Sequence, residues 1–255
     1  MSAWDDPALT GGLARTIETD LRDMARVFES SRERSLQTHV GPSGIGKPCT
    51  RCLAREVLGM AVTRDFDDPW CRIIGTAVHA WLADAAEHFN TLAPEPTYKT
   101  ETRVQPHPDV MPKGGNADLY DAVHKTVIDH KIVGAEQLRK YKLNGPGAQY
   151  RVQAHVYGLG FHRTGAEVDH VAVAFWQRGG RLSDLYVWTE PYDAQIALDA
   201  IDRYRTIADQ AAAIGPAILP HLPADPDCWD CGGKDVTPEE LASLASPNPA
   251  QSNVA

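Results

Sequence analysis

The 255-residue sequence predicts an α/β fold, with five strands set among helices in one domain. Two observations carry that expectation. Apolar residues recur every three or four positions near the start, in two interior segments and again before Gly215, which is the helical period. Between these, residues 99–133 and 167–190 turn to alternating, β-branched runs bounded by turn signals. The order is helices, three strands, a helix, two strands and a helix, with no internal repeat.

Leu13, Ile17, Leu21, Met24 and Phe28 predict an amphipathic helix over 13–35, broken by the Gly/Pro-rich "HVGPSGIGKP". "RCLAREVLG" predicts a short helix ending at Gly59, and "DFDDPW" a loop. "IIGTAVHAWLADAAEHF" is strongly helical, with Val78, Trp81, Leu82 and Ala85 expected on one side. "KTETRVQ", "NADLYDAV" and "KTVIDHKIV" are successive strands, the last two joined tightly near His124-Lys125. After the basic "LRKYKLNGPG", a helix runs through "AQYRVQAHVYGLGFHRTG" to Gly165. "EVDHVAVAFWQ" and "LSDLYVWTE" form a strand pair around Gly179-Gly180, and a long helix follows from an Asp193 N-cap to Gly215. Thr237-Pro238-Glu239-Glu240 suits a helix start, and "SPNPAQSNVA" reads as disordered.

Composition is globular, at 43% hydrophobic and 23% charged. No run of eighteen apolar residues exists and the N-terminus lacks a basic-then-apolar signal, so a soluble, cytoplasmic protein with no membrane partner is expected. The formal charge of −9 disfavours coating of nucleic acid by the whole surface. Locally the balance reverses: Lys131, Arg139, Lys140, Lys142 and Arg151 are opposed between 131 and 151 by Glu136 alone. Such a strip beside an acidic site suits a phosphate-bearing substrate.

Cysteines fall as Cys49-x-x-Cys52, Cys228-x-x-Cys231 and Cys71. Two C-x-x-C pairs offer the four thiolates that a tetrahedral zinc or a cubane iron–sulfur cluster needs. The pairs lie 176 residues apart, too far for a zinc ribbon, and suggest a clasp joining both ends of a domain. Cys71 is expected as a small buried hydrophobe.

The chemistry centres on "TVIDHKIVG", where Asp129 and Lys131 lie two apart on a strand and therefore on one face. Asp118 lies on the strand before. His79 sits on a helix four residues after Gly75, where a small side chain would let another backbone approach. Gln153 and Tyr157 share a face of a later helix. Two carboxylates, an imidazole and the His130 carbonyl offer hard ligands for Mg²⁺ or Mn²⁺, while Lys131 can orient a water or stabilise charge on phosphorus. Glu101, one strand before Asp118, is read as an exposed edge glutamate in preference to a further ligand.

"GTAVH", "ADLYD", "VIDHK" and "QAHVY" resemble the G-x-x-x-H, D, (D/E)-x-K and Q-x-x-x-Y series of RecB-like nucleases in the PD-(D/E)XK superfamily, over about residues 41–231. The flanking C-x-x-C pairs look like the cluster-bearing branch, which includes CRISPR-associated exonucleases, and compact versions resemble exonucleases encoded by bacteriophages. The resemblance implies a central mixed sheet of about five strands flanked by helices and closed by a Cys-rich clasp. It implies His79, Asp118, Asp129, Lys131, Gln153 and Tyr157 as active-site residues, with His79, Asp118, Asp129 and His130 holding Mg²⁺ or Mn²⁺. Cys49, Cys52, Cys228 and Cys231 become candidate ligands of a [4Fe–4S] cluster, with structural Zn²⁺ as the alternative. Two departures stand out: Asp129 replaces a commoner glutamate, and the cysteines divide two and two where one and three is usual.

The expected organisation is an N-terminal helical segment at 1–40, a nuclease domain with its clasp at 41–234 and a flexible tail at 235–255. The expected activity is metal-dependent exonuclease action on DNA ends in phage or bacterial recombination and repair, with an annealing protein or helicase as partner. The competing expectation is a non-catalytic, cluster-stabilised nucleic-acid-binding module. A zinc-dependent small-molecule hydrolase is disfavoured by the lack of H-E-x-x-H.

Overall fold

A computed structural model describes residues 7–31, 40–60, 68–228 and Cys231. The chain runs α1 (Pro7–Ser30), α2 (Pro42–Ile45), α3 (Thr50–Val57), α4 (Trp70–Leu92), β1 (Tyr98–Val104), β2 (Gly115–Asp121) and β3 (Thr126–Val133). It continues through α5 (Ala135–Asn144), α6 (Gly147–Arg163), β4 (His170–Gln177), β5 (Tyr186–Pro191) and α7 (Ala194–Ile214). The five strands form one sheet in sequence order, so the α/β expectation holds. The sheet is mixed: β3 and β4 pair in parallel while every other neighbour is antiparallel. A parallel pair cannot be closed by a hairpin, and α5 and α6 supply the crossover between β3 and β4.

α6 lies close against the sheet because two of its residues have no side chain. A Cβ added at Gly160 would meet Val104 Cβ at 2.7 Å, and one added at Gly158 would meet the Tyr192 ring at 2.8 Å. Its residues from Gln153 to Phe161 are all buried. Beyond α6, Ile45, Leu53, Ile201 and Leu219 pack α2, α3 and α7 into a cluster with Val156 and Leu159. Each such fully buried aliphatic contributes about 1.5–3 kcal/mol. α4 packs against β1, β2 and β3, so β3 is covered by α4 as well as α6.

Helix ends follow their sequence signals. Asp193 Oδ1 accepts the Gln195 N–H at 2.8 Å as the N-cap of α7, and Gly215 ends that helix at φ 61°. In the β2–β3 turn, Asp121 Oδ1 accepts the N–H groups of Val123 and His124, and Lys125 has φ 48°.

Several expectations need correction. α1 runs 7–30, not 13–35, and its apolar stripe is exposed, with Met24 at 64% and Phe28 at 69%. The basic stretch, to which the sequence assigns no element, is largely α5, a helix whose one buried residue is Leu138, so that it lacks an apolar period. β4 begins at His170, three residues later than its apolar run suggests. On α4, Val78 and Leu82 are half-buried but Trp81 and Ala85 face outward. Gly75 marks no close approach: a Cβ there meets nothing within 4 Å. Cys71 is exposed, not buried, and its Sγ lies 2.6 Å from Arg178 Nη1. The tail helix expected at Thr237–Glu240, the rest of 235–255 and residues 1–6 and 32–39 lie outside the described residues. No described helix is long and apolar enough to cross a membrane.

Candidate active site and cysteine clasp

β2 and β3 are paired from Leu119↔Ile128 to Asp121↔Thr126. Beyond that point the Asp118 carboxylate takes over: its Oδ2 accepts the His130 N–H at 2.7 Å. A side chain thereby satisfies an amide that ladder pairing would otherwise use, and the carboxylate is held at a fixed place. Asp129 and His130 are consecutive yet both buried, which a strand covered on both faces allows.

Asp129 and Lys131 do share a face. Lys131 Nζ approaches Asp129 Oδ2 to 2.6 Å, while Gln153 Nε2 on α6 donates to Asp129 Oδ1 at 2.8 Å. The lysine contact is an ion contact without hydrogen-bond alignment, so Oδ2 has no hydrogen-bond partner among the described residues. Lys131 Nζ also lies 4.9 Å from the centre of the Tyr150 ring. On the α4 side, His79 Nδ1 is 3.3 Å from Asp118 Oδ1. Ligand atoms of His79, Glu101 and Asp118 all lie within 4.8 Å of one another.

The expected residues thus divide into two linked halves. Asp129, Lys131 and Gln153 form one; His79 and Asp118, joined by Glu101, form the other; the His130 amide connects them. Tyr157 packs elsewhere, in an apolar cluster with Val104, Ala117, Tyr120, Val127 and Phe161. Glu101 is brought to the site by a mid-strand φ of 42°, a backbone feature that its sequence neighbours do not announce. Tyr150 was detectable, lying three residues before Gln153 on the same helix. The His130 ring is buried on the α4 side, where its Nδ1 accepts the Trp176 indole N–H at 3.3 Å.

Charge is concentrated and poorly solvated here. Burial pushes the Asp129 carboxyl up to about 6 despite the Lys131 charge, with Asp118 adding to the rise. Burial also works against Asp118, yet the His79 contact, the His130 N–H and Lys131 hold it below the usual carboxylate range. For His79, burial is outweighed by Asp118, and its pKa rises. Burial lowers His130 to about 4, leaving a neutral ring that can accept from Trp176. Buried carboxylates facing one lysine are a donor set suited to a hard divalent cation, and the unbonded Asp129 Oδ2 leaves a lone pair for it.

Of the basic strip, Arg139, Lys140 and Lys142 are exposed along α5, whereas Arg151 is engaged by Glu190 at 2.6 Å.

The clasp forms. Cys49 is the N-cap of α3 and Cys52 lies in its first turn; Cys228 and Cys231 come from the segment after α7. Cys49 and Cys231 sulfurs are 3.7 Å apart, Cys52 and Cys228 sulfurs 3.6 Å, and all four lie within 4.8 Å. Disulfides would need about 2 Å. The segments are also tied by the Arg51 N–H to Pro223 O and the Arg51 guanidinium to Leu222 O at 3.0 Å. Burial disfavours the Cys49 thiolate, but N–H groups of Asp225 and Cys52 outweigh it and lower the thiol to about 7. Burial and the neighbouring sulfurs push Cys52 up.

No protein-family model and no curated protein matches the chain. Among solved structures, an alkaline exonuclease from Laribacter hongkongensis is similar at 11% identity and TM-score 0.49, covering 71% of this chain and 91% of that one. A phage-related exonuclease from Haemophilus somnus is similar at 15% identity and TM-score 0.44, covering 69% and 95%. Likenesses of this strength carry no chemistry from those proteins to this one.

Proposed function

We propose that the chain is a Mg²⁺- or Mn²⁺-dependent nuclease that hydrolyses phosphodiester bonds at DNA ends. The observation that carries this reading is the buried Asp129, held by Gln153 and touched by Lys131, beside an Asp118 fixed by the next strand's backbone. In this reading Asp118, Asp129, His79 and the His130 carbonyl hold the ion, and Glu101 joins them. The ion's chemistry is to neutralise developing phosphate charge and to acidify the attacking water.

The chain's own residues do the rest. Lys131, kept in place by Asp129 and the Tyr150 face, orients the water and offsets negative charge at phosphorus as the leaving oxygen departs. Gln153 fixes the Asp129 rotamer, so the carboxylate does not swing toward Lys131 alone. α5 begins two residues past the end of β3, and its exposed cations Arg139, Lys140 and Lys142 suit the sugar–phosphate backbone of the strand being cut. Action within phage or bacterial recombination and repair, beside an annealing protein or helicase, extends the same reading.

The test is a cleavage assay on end-labelled linear single- and double-stranded DNA and on closed circles, with Mg²⁺ or Mn²⁺. Wild type shortens linear substrates and spares circles, while Lys131→Ala cuts at least about 100-fold more slowly and still binds DNA. Binding by both proteins with no cleavage by either would replace this reading with that of a binding module.

A further inference from the structure

We propose that Cys49, Cys52, Cys228 and Cys231 hold a single tetrahedral zinc ion and not the four-iron cluster implied by the sequence resemblance. Size decides between them. A zinc–thiolate bond of about 2.3 Å makes the edge of a regular tetrahedron of sulfurs about 3.8 Å. The two closest edges here are 3.6 and 3.7 Å, and no pair of sulfurs is more than 4.8 Å apart. In a cubane each thiolate binds its own iron and the metal–sulfide core lies between them, which sets thiolate sulfurs roughly 6 Å apart. The four thiols enclose room for one ion and not for eight core atoms.

Among the described residues, nothing around the clasp offers the missing width. Cys49 and Cys52 are 1% and 3% exposed, and α3 is packed on its inner side by Leu53 and Ala54 in the core. Opening the set means moving Cys228 and Cys231 outward, but Arg51 pins the approach to Cys228 through Pro223 and Leu222. Arg203 pins the other side, donating to the carbonyls of Lys47 and Pro48 just before Cys49. The two-and-two division of the cysteines suits the same answer, since each C-x-x-C pair contributes two corners of one tetrahedron. An all-thiolate tetrahedron accepts zinc or iron, and zinc is the stronger binder of the two divalent ions and carries no redox chemistry that a structural tie would need to suppress.

The test is metal and acid-labile sulfide analysis of the full chain, purified anaerobically from cells supplied with both iron and zinc, with its visible spectrum. Neither measurement depends on cleavage, so the nuclease reading can fail while this one stands, and the reverse. The expected result is a colourless protein with one zinc per chain and no labile sulfide. Cobalt exchanged for zinc is expected to give the intense visible bands of a tetrahedral thiolate site, lost in Cys52→Ser. Four iron and four sulfide per chain would overturn the proposal, as would iron without sulfide. So would a metal-free protein whose four thiols remain reactive in the native state.

Discussion

Among the described residues Gln153 hydrogen-bonds one oxygen of the Asp129 carboxylate, at 2.8 Å, and Lys131 approaches the other to 2.6 Å as an ion contact. Gln153→Leu keeps the volume of the site and deletes that bond. Losing such a supporting contact typically costs about 10–100-fold in metal affinity or activity. We expect the Mn²⁺ concentration for half-maximal cleavage to rise by that factor with the melting temperature little changed; an unaltered Mn²⁺ dependence would remove Gln153 from the site. At this scale much was legible in the sequence. Alternation along a strand put Asp129 beside Lys131, and a four-residue helical step put Gln153 and Tyr157 together. One turn along α6 from Gln153, Tyr157 packs in an apolar cluster with Val104 and Phe161, since α6 is buried on every side over this stretch. Glu101 is exposed on an edge strand, as the sequence favoured, yet its carboxylate also lies within 4.8 Å of the His79 and Asp118 ligand atoms. Its position depends on a positive φ within a strand, and no glycine or asparagine marks the place.

α6 shows how one element ties the site to the sheet, and it makes two separate predictions. Gly160→Val would force branched carbons where a Cβ alone already meets Val104 at 2.7 Å, an overpacking that costs about 1–3 kcal/mol. A urea midpoint shifted by less than the equivalent of half a kilocalorie would mean that α6 can move away from β1. The second concerns Glu190 on β5, which accepts from Arg151 and, at 2.6 Å, is joined by the buried His155 of the same helix. His155 Nδ1 accepts the Asp193 N–H, so Nε2 is the nitrogen that donates to Glu190. Burial works against the Glu190 charge, but Arg151 and His155 prevail and its pKa falls below the ordinary 4.5. A depressed carboxyl contributes stability above its unfolded pKa and loses it as pH falls through the folded value. Glu190→Gln should therefore destabilise the protein at pH 7 and narrow its gap to wild type as the pH drops from 5 toward 3; a gap that is constant with pH would mean that the ion pair contributes nothing. Element boundaries were legible where a cap or glycine marked them, as at Asp193 and Gly215. α5 was not, because Leu138 alone is buried on a polar helix and leaves no period to read.

Across the whole molecule, two donor sets of opposite character sit on one chain among the described residues: oxygen and imidazole groups on the β2–β3 side, and four sulfurs where the segment after α7 meets α3. The C-x-x-C pairs announced a clasp from spacing alone, and the sheet order followed the strand order, since consecutive strands tend to lie side by side whether a turn or, as between β3 and β4, a helical crossover joins them. What spacing could not express was the width between the sulfurs, which only the folded backbone sets. The two sets should come apart in a single experiment. Excess EDTA should deplete Mg²⁺ or Mn²⁺ from the oxygen-ligand site, and cleavage should stop while the far-UV circular dichroism and melting temperature hold. A mercurial that titrates thiols should release the clasp metal and act on stability instead. The clasp closes 176 residues between Cys52 and Cys228, and a cross-link of such span contributes about 2–5 kcal/mol. For a chain of this size that corresponds to a fall of roughly 5–15 °C in melting temperature. Cys71 is exposed and would react as well, so the comparison belongs in a Cys71→Ser background, where the fall should persist undiminished. If EDTA lowered the melting temperature as far as the mercurial did, the oxygen-ligand site would be holding the fold together, and the division into a catalytic and a structural centre would be wrong.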